Sequence, residues 1–129
     1  RIVPGAMQAI IEDRELFIRS DGQFKRDYLY VKDVAEGYVK MTENLESIKG
    51  EAFNFSSGIN LSVVAMVEKI GKVTGSLVKY KIQNDQQNEI PAQSLNFEKA
   101  VKMLGWHASP DLEAPMGETF KWYKKYIGS

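Results

Sequence analysis

Arg26 is the residue whose type and setting most suggest chemistry. It follows the Ser20-Asp21-Gly22 turn signal and precedes Asp27–Val31, whose Tyr and Val content suits a short strand. A guanidinium on the lip between turn and strand offers a rigid fork of donors to a phosphate or carboxylate. The same spacing fits a surface arginine paired with Asp27 or Asp33, since lone charges are mostly solvated surface. Asp33 closes the stretch, placed to cap a helix starting at Val34, with Glu36 three residues on as a reciprocal cap.

Other reactive residues are sparse. The single His107 follows Trp106 in the turn after Gly105, with no second histidine or carboxylate pair to make a metal site, so its role is read as structural or solvent-facing. No Gly-x-Gly-x-x-Gly, P-loop or Gly-x-Ser-x-Gly pattern occurs. Tyr28 and Lys32 have the spacing of a Tyr-x-x-x-Lys base pair, but four strand residues span roughly 13 Å and would hold them apart. Glu12 with Asp13, and Glu43 with Glu46, fall on exposed helix faces. Trp122, Tyr123 and Tyr126 read as core stripe plus surface, and the Asn54 and Asn60 sequons as chance.

These residues must be positioned by ordinary globular elements. The 129 residues are 43% hydrophobic and 26% charged, enough for a real core in one domain, residues 1–129. Seventeen basic residues balance seventeen acidic ones, so nothing electrostatic argues for nucleic acid or an anionic membrane. Without cysteine there is no disulfide, thiolate metal site or thiol nucleophile; a reducing, cytoplasmic setting is compatible. No apolar run nears the roughly 18 residues of a membrane span, and no signal peptide is visible. The chain opens at Arg1 without Met and reads as a piece of something longer.

Pro4 near the start fits a helix to about Asp13. Leu16–Ile18, Asp27–Val31, Ala52–Phe55, Leu77–Ile82 and Gln93–Leu95 are strand candidates. Val34, Tyr38, Met41 and Leu45 recur at helical spacing. Ser62 caps a helix carrying Val63, Met66, Val67, Ile70 and Val73, closed by Gly75. Phe97, Ala100, Val101 and Leu104 form a short helix stopped by Gly105. Asp111 opens a last helix with Leu112, Met116, Phe120, Tyr123 and Ile127 inward and Pro115 in its first turn. Strands alternating with helices make the class α/β.

Several segments then resemble one family in order and spacing: Arg1-Ile2-Val3-Pro4, Arg26–Val34, Gly50–Ser56, Glu89–Leu95, Lys99-Ala100, Leu104-Gly105-Trp106 and Glu118–Tyr123. They look like the C-terminal, substrate-binding portion of extended short-chain dehydrogenase/reductases, the Rossmann-type NAD-dependent nucleotide-sugar epimerases and dehydratases. The Glu-Ile-Pro…Gln-x-Leu version most resembles the CDP-glucose 4,6-dehydratase-like branch. The resemblance implies that Arg26 grips the diphosphate of a nucleotide-diphosphate sugar, that Glu89 accepts from a ribose hydroxyl, and that Arg1 lies near the nucleotide. It also implies a parent enzyme using NAD to oxidise the sugar at C4, followed by loss of water or reduction from the other face.

The cofactor lobe and the family's catalytic Ser/Thr–Tyr–Lys group precede the portion matched, so no catalytic residue, metal or bound cofactor is expected in this chain. Where several relatives carry a second diphosphate-binding arginine, this sequence reads Gln86-Gln87-Asn88. The alternative is a non-catalytic nucleotide-binding or protein-interaction α/β module. If Ala52–Phe55 is a sheet edge, its unpaired backbone favours a homo-oligomer.

Overall fold

Residues 1–85 and 89–128 are described by a computed structural model. The elements run α1 (Ile2–Ile11), β1 (Leu16–Ile18), β2 (Lys25–Asp27), α2 (Val31–Glu43), β3 (Asn60–Ser62), α3 (Val63–Thr74), β4 (Tyr80–Ile82), α4 (Glu98–Leu104) and α5 (Glu113–Ile127). Two compact units form: Arg1–Arg26 with Leu61–Ala92 and Glu113–Ser129, and Asp27–Asn60 with Gln93–Leu112. Each gathers separated stretches, which is why no linker composition is legible along the chain.

In the first unit, α1 tolerates Pro4 in its opening turn, where the missing N–H breaks no helical bond, and buries Ala6, Met7 and Ala9. It packs on α3 and α5, which also pack on each other. The α3 cap is as the sequence predicts: Ser62 Oγ accepts from the Ala65 N–H at 3.1 Å, and Met66, Val67 and Ile70 are buried. β1 pairs in parallel with β4, Leu16 opposite Tyr80 and Ile18 opposite Ile82. The expected Leu77–Ile82 strand is thus shortened to the three residues that have β1 as a neighbour.

In α5, Pro115 and Met116 are buried, while Phe120, Tyr123 and Ile127 are half-buried. Trp122 and Tyr126 are exposed and stack with centroids 4.9 Å apart.

Asp13 leaves α1 in the left-handed region at φ 46, an uncommon state that short polar side chains tolerate best. Lys79 Nζ donates to its Oδ1 at 2.7 Å; that hydrogen bond and the lysine's charge hold the Asp13 carboxyl below its ordinary value of 3.8.

In the second unit, Ile48, Ala100, Leu104 and Trp106 are buried, with Leu29, Met41, Phe53, Phe55, Phe97 and Ala108 packed around them. Gly37 lets α2 approach Phe55: a Cβ there would stand 2.7 Å from the ring. Three expectations are corrected here. Strand β2 ends at Asp27, and α2 begins at Val31 with Tyr30 as N-cap, so Asp33 lies inside the first turn and does not cap a helix at Val34. Its carboxylate instead accepts from Ser109 N–H at 2.9 Å and Ser109 Oγ at 2.8 Å, and its carbonyl accepts from Trp106 Nε1 at 2.8 Å. Ala52–Phe55 and Gln93–Leu95 form no ladder with a described strand, because β propensity needs a neighbour to bond to.

Removing the Asp33 carboxylate in Asp33→Ala would leave the Ser109 donors without their ionic acceptor. The expected loss is about 1.5–3 kcal/mol, read as a lower urea midpoint by fluorescence, with Trp106 the buried reporter; Ser109→Ala should lose less, and an unchanged midpoint would refute the clamp. The depressed Asp13 value makes a small contribution to stability that is present above pH 3.8 and fades as pH falls through the folded value. Lys79→Met should move the Asp13 titration, followed by carboxyl NMR, upward toward the ordinary value.

Candidate functional site

β2 carries Arg26 and is stitched to a later segment of the same unit. The Lys25 N–H donates to the Pro91 carbonyl at 2.9 Å, and Lys25 bridges Ala92 in parallel. The following proline disfavours helical backbone at Ile90 and pushes it toward extended geometry. Arg26 Nη1 donates to the Lys25 carbonyl at 2.9 Å and to the Ile90 carbonyl at 2.7 Å. Its Nη2 donates to Glu89 Oε2 at 3.2 Å, forming an ion pair whose side chains are 28% and 39% exposed. The Phe24 ring lies beneath the guanidinium, 5.8 Å from its carbon to the ring centroid.

The two residues that the sequence singles out thus meet. Neither Asp27 nor Asp33 is Arg26's partner: Asp27 accepts from Ser56 Oγ, and Asp33 is taken by Ser109. Three of the five guanidinium N–H groups are engaged; the other two have no partner among the described residues. Glu89 has likewise committed one oxygen. The site therefore has both cationic donors and an anionic acceptor to offer, side by side.

Arg1 stands exposed ahead of α1 and makes no hydrogen bond to this pair. Gln86-Gln87-Asn88 lies outside the described residues. His107 is exposed, and no group of three metal-ligating side chains occurs among the described residues. Lys32 lies in α2 and Tyr28 before it, so the two do not share a helix as a Tyr-x-x-x-Lys pair does. Sequence reasoning missed the carbonyls of Ile90 and Pro91 as partners of β2. The Ile-Pro dipeptide was the available signal, since it marks extended chain.

Placed against solved structures, the chain matches 99% of its length to a UDP-glucose 4-epimerase from Stenotrophomonas maltophila with bound NAD and formylated UDP-arabinopyranose (TM-score 0.90, 24% identity, 40% of that chain). It matches 98% of its length to the Bacillus cereus UDP-glucuronic acid 4-epimerase in complex with UDP-glucuronic acid and NAD (TM-score 0.88, 21% identity, 40% of that chain). The fold is the α/β, Rossmann-like fold of NAD-dependent epimerases, over part of a larger chain.

Residues 1–56 match the NAD dependent epimerase/dehydratase family. Among curated proteins, the UDP-glucose 4-epimerase of Bacillus subtilis is 36% identical over 108 residues, 83% of this chain and 32% of that protein. The Bos taurus UDP-glucose 4-epimerase is 28% identical over 132 residues, 96% of this chain and 38% of that protein. This chain belongs to the NAD-dependent epimerase/dehydratase family and spans about a third of the length of these curated relatives. The relatives named here are 4-epimerases, and they give no support to the CDP-glucose 4,6-dehydratase-like branch.

NAD is present in both solved relatives. The sequence holds no Gly-x-Gly-x-x-Gly or P-loop run to cradle its pyrophosphate. Gly22, the glycine turn whose carbonyl receives the Val64 N–H at the start of α3, has the Val64 side chain 2.6 Å from where a Cβ would sit. At Gly58 the Phe97 ring stands 3.4 Å from the same position, an ordinary van der Waals contact. At Gly22 the packed Val64 side chain closes the space an open glycine cradle for a pyrophosphate needs. No hydride step is assigned to these residues.

Proposed function

We propose that this chain is the part of a nucleotide-sugar 4-epimerase that holds a nucleotide-diphosphate sugar, with Arg26 facing the diphosphate and Glu89 accepting from a ribose hydroxyl. One observation carries the reading: the Arg26–Glu89 contact at 3.2 Å. In a nucleoside diphosphate the ribose and the first phosphate are neighbours, so a cationic fork beside a carboxylate matches two adjacent groups of opposite demand. Spare N–H groups on Arg26 supply charge-assisted bonds to phosphate oxygens, and the spare oxygen of Glu89 takes a hydroxyl proton. The 4-epimerase relatives favour stereo-inversion over water elimination at the sugar. NAD would serve that reaction in the parent enzyme, held by residues other than those described. Arg1, without contact to the pair, is left outside the proposed contact.

Calorimetric and NMR titration with UDP, CDP, GDP and dTDP tests this. Binding of at least one, with shifts centred on Arg26 and Glu89, is expected. Arg26→Ala should weaken it by about ten- to a hundredfold, the equivalent of about 1.5–3 kcal/mol for a charged hydrogen bond. A flat response to all four nucleotides would overturn the proposal and favour the protein-interaction module instead.

A further inference from the structure

We infer that Arg26 is also a positioning residue: its guanidinium fastens residues 89–92 to β2 and so sets the Glu89 carboxylate in place. The functional half of this inference rests on the nucleotide-binding reading; the structural half does not. Residues 89–92 lie outside any helix or named strand, and Pro91 has no N–H to give to a ladder. Their backbone ties to β2 are the Lys25 N–H to Pro91 carbonyl bond and the isolated bridge at Ala92. Arg26 adds two more anchors one and two residues earlier, at the Ile90 carbonyl and the Glu89 carboxylate.

Its third bond, to the Lys25 carbonyl, turns the fork back along its own strand. Phe24, two residues earlier, supports the guanidinium with its ring. One planar cation thus spans β2 and residues 89–90, a task a lysine ammonium on a flexible stem performs poorly.

Glu89 is an exposed residue on a chain segment with few bonds of its own. Without Arg26 its side chain would sample several rotamers, and a ligand would have to order it at the moment of binding. With Arg26 it is preorganised. The contact does not exhaust either partner, because a carboxylate offers about four lone-pair sites and the guanidinium five N–H groups. Holding Glu89 and holding a ligand are therefore compatible.

The consequence separates this role from phosphate binding. A residue that only meets phosphate is irrelevant to uridine, which has none. If Arg26 sets Glu89, uridine must also lose affinity when Arg26 is replaced. NMR titrations of the wild-type chain, Arg26→Ala, Arg26→Lys and Glu89→Gln with UDP and with uridine make the comparison. Hydrogen exchange at the Lys25 amide reports the stitching, and the Leu16 amide, bonded to the Lys79 carbonyl at 2.8 Å, serves as control.

In Arg26→Ala, uridine affinity should fall about tenfold, as for loss of one charged hydrogen bond. Exchange at Lys25 should quicken while Leu16 holds. Arg26→Lys should regain part of the UDP affinity and little of the uridine affinity. Unchanged uridine binding together with unchanged Lys25 exchange in Arg26→Ala would overturn the inference. Should the wild-type chain bind neither UDP nor uridine, the nucleotide reading fails, and Lys25 exchange alone decides whether Arg26 fastens the segment.

Discussion

The bond from Arg26 to the Ile90 carbonyl joins residues 64 apart in sequence, and the one to Glu89 joins residues 63 apart. Ordering so long a stretch of chain to bring two residues together costs loop-closure entropy, which grows only slowly with length. A single weak surface ion pair, worth between nothing and about 1 kcal/mol, would not hold such a closure. Three guanidinium bonds plus the Lys25 backbone bond share the load. The site depends on that shared closure, because neither the cation nor the acid has a defined position without it.

An analogous device appears in the second unit with different chemistry. Asp33 joins α2 to Ser109, 76 residues later, and its carbonyl receives the indole N–H of the fully buried Trp106. A buried indole N–H without a partner would carry the desolvation cost of an unsatisfied donor, so the acceptor at Asp33 is what allows the largest buried side chain to sit in the core. Gly37 works on the same helix by omission, giving Phe55 the room to reach Trp106, with ring centroids 4.8 Å apart. Backbone position at α2 is thus fixed by a carboxylate, a carbonyl and a missing methyl group, more than by helix propensity.

What was legible in the chain divides along the same physical line. Helices carry their own hydrogen bonds and periodicity, so α1, α3, α4 and α5 could be read locally, including the Ser62 cap and the glycines after α3 and α4. Strands have no bonds of their own. Ala52–Phe55 and Gln93–Leu95 have strand composition but no described partner, while Lys25–Asp27, whose three side chains are all charged, is a strand because β3 lies beside it. Asp33 looked like a cap because its side chain is what a cap requires; the tertiary donor at Ser109 outbid the local one. Arg26 and Glu89 were both singled out, one from its setting and one only from family resemblance. Their mutual contact was invisible, since no local pattern links positions so far apart.

Charge on this protein is arranged rather than accumulated. With seventeen basic and seventeen acidic residues there is no net field to draw an anion from a distance, so binding must rely on the few ångströms around the guanidinium. At that range partial burial matters more than net charge. Arg26 at 28% side-chain exposure is shielded enough for its remaining N–H groups to be less screened than a surface lysine's, yet open enough to meet a ligand. Glu89 beside it lowers the local positive potential, which weakens attraction for a bare phosphate. It correspondingly favours a ligand that brings hydroxyl donors along with its negative charge. Under the proposed reading, a paired cation and acid would favour a sugar-linked phosphate over an inorganic one, because the two groups are adjacent.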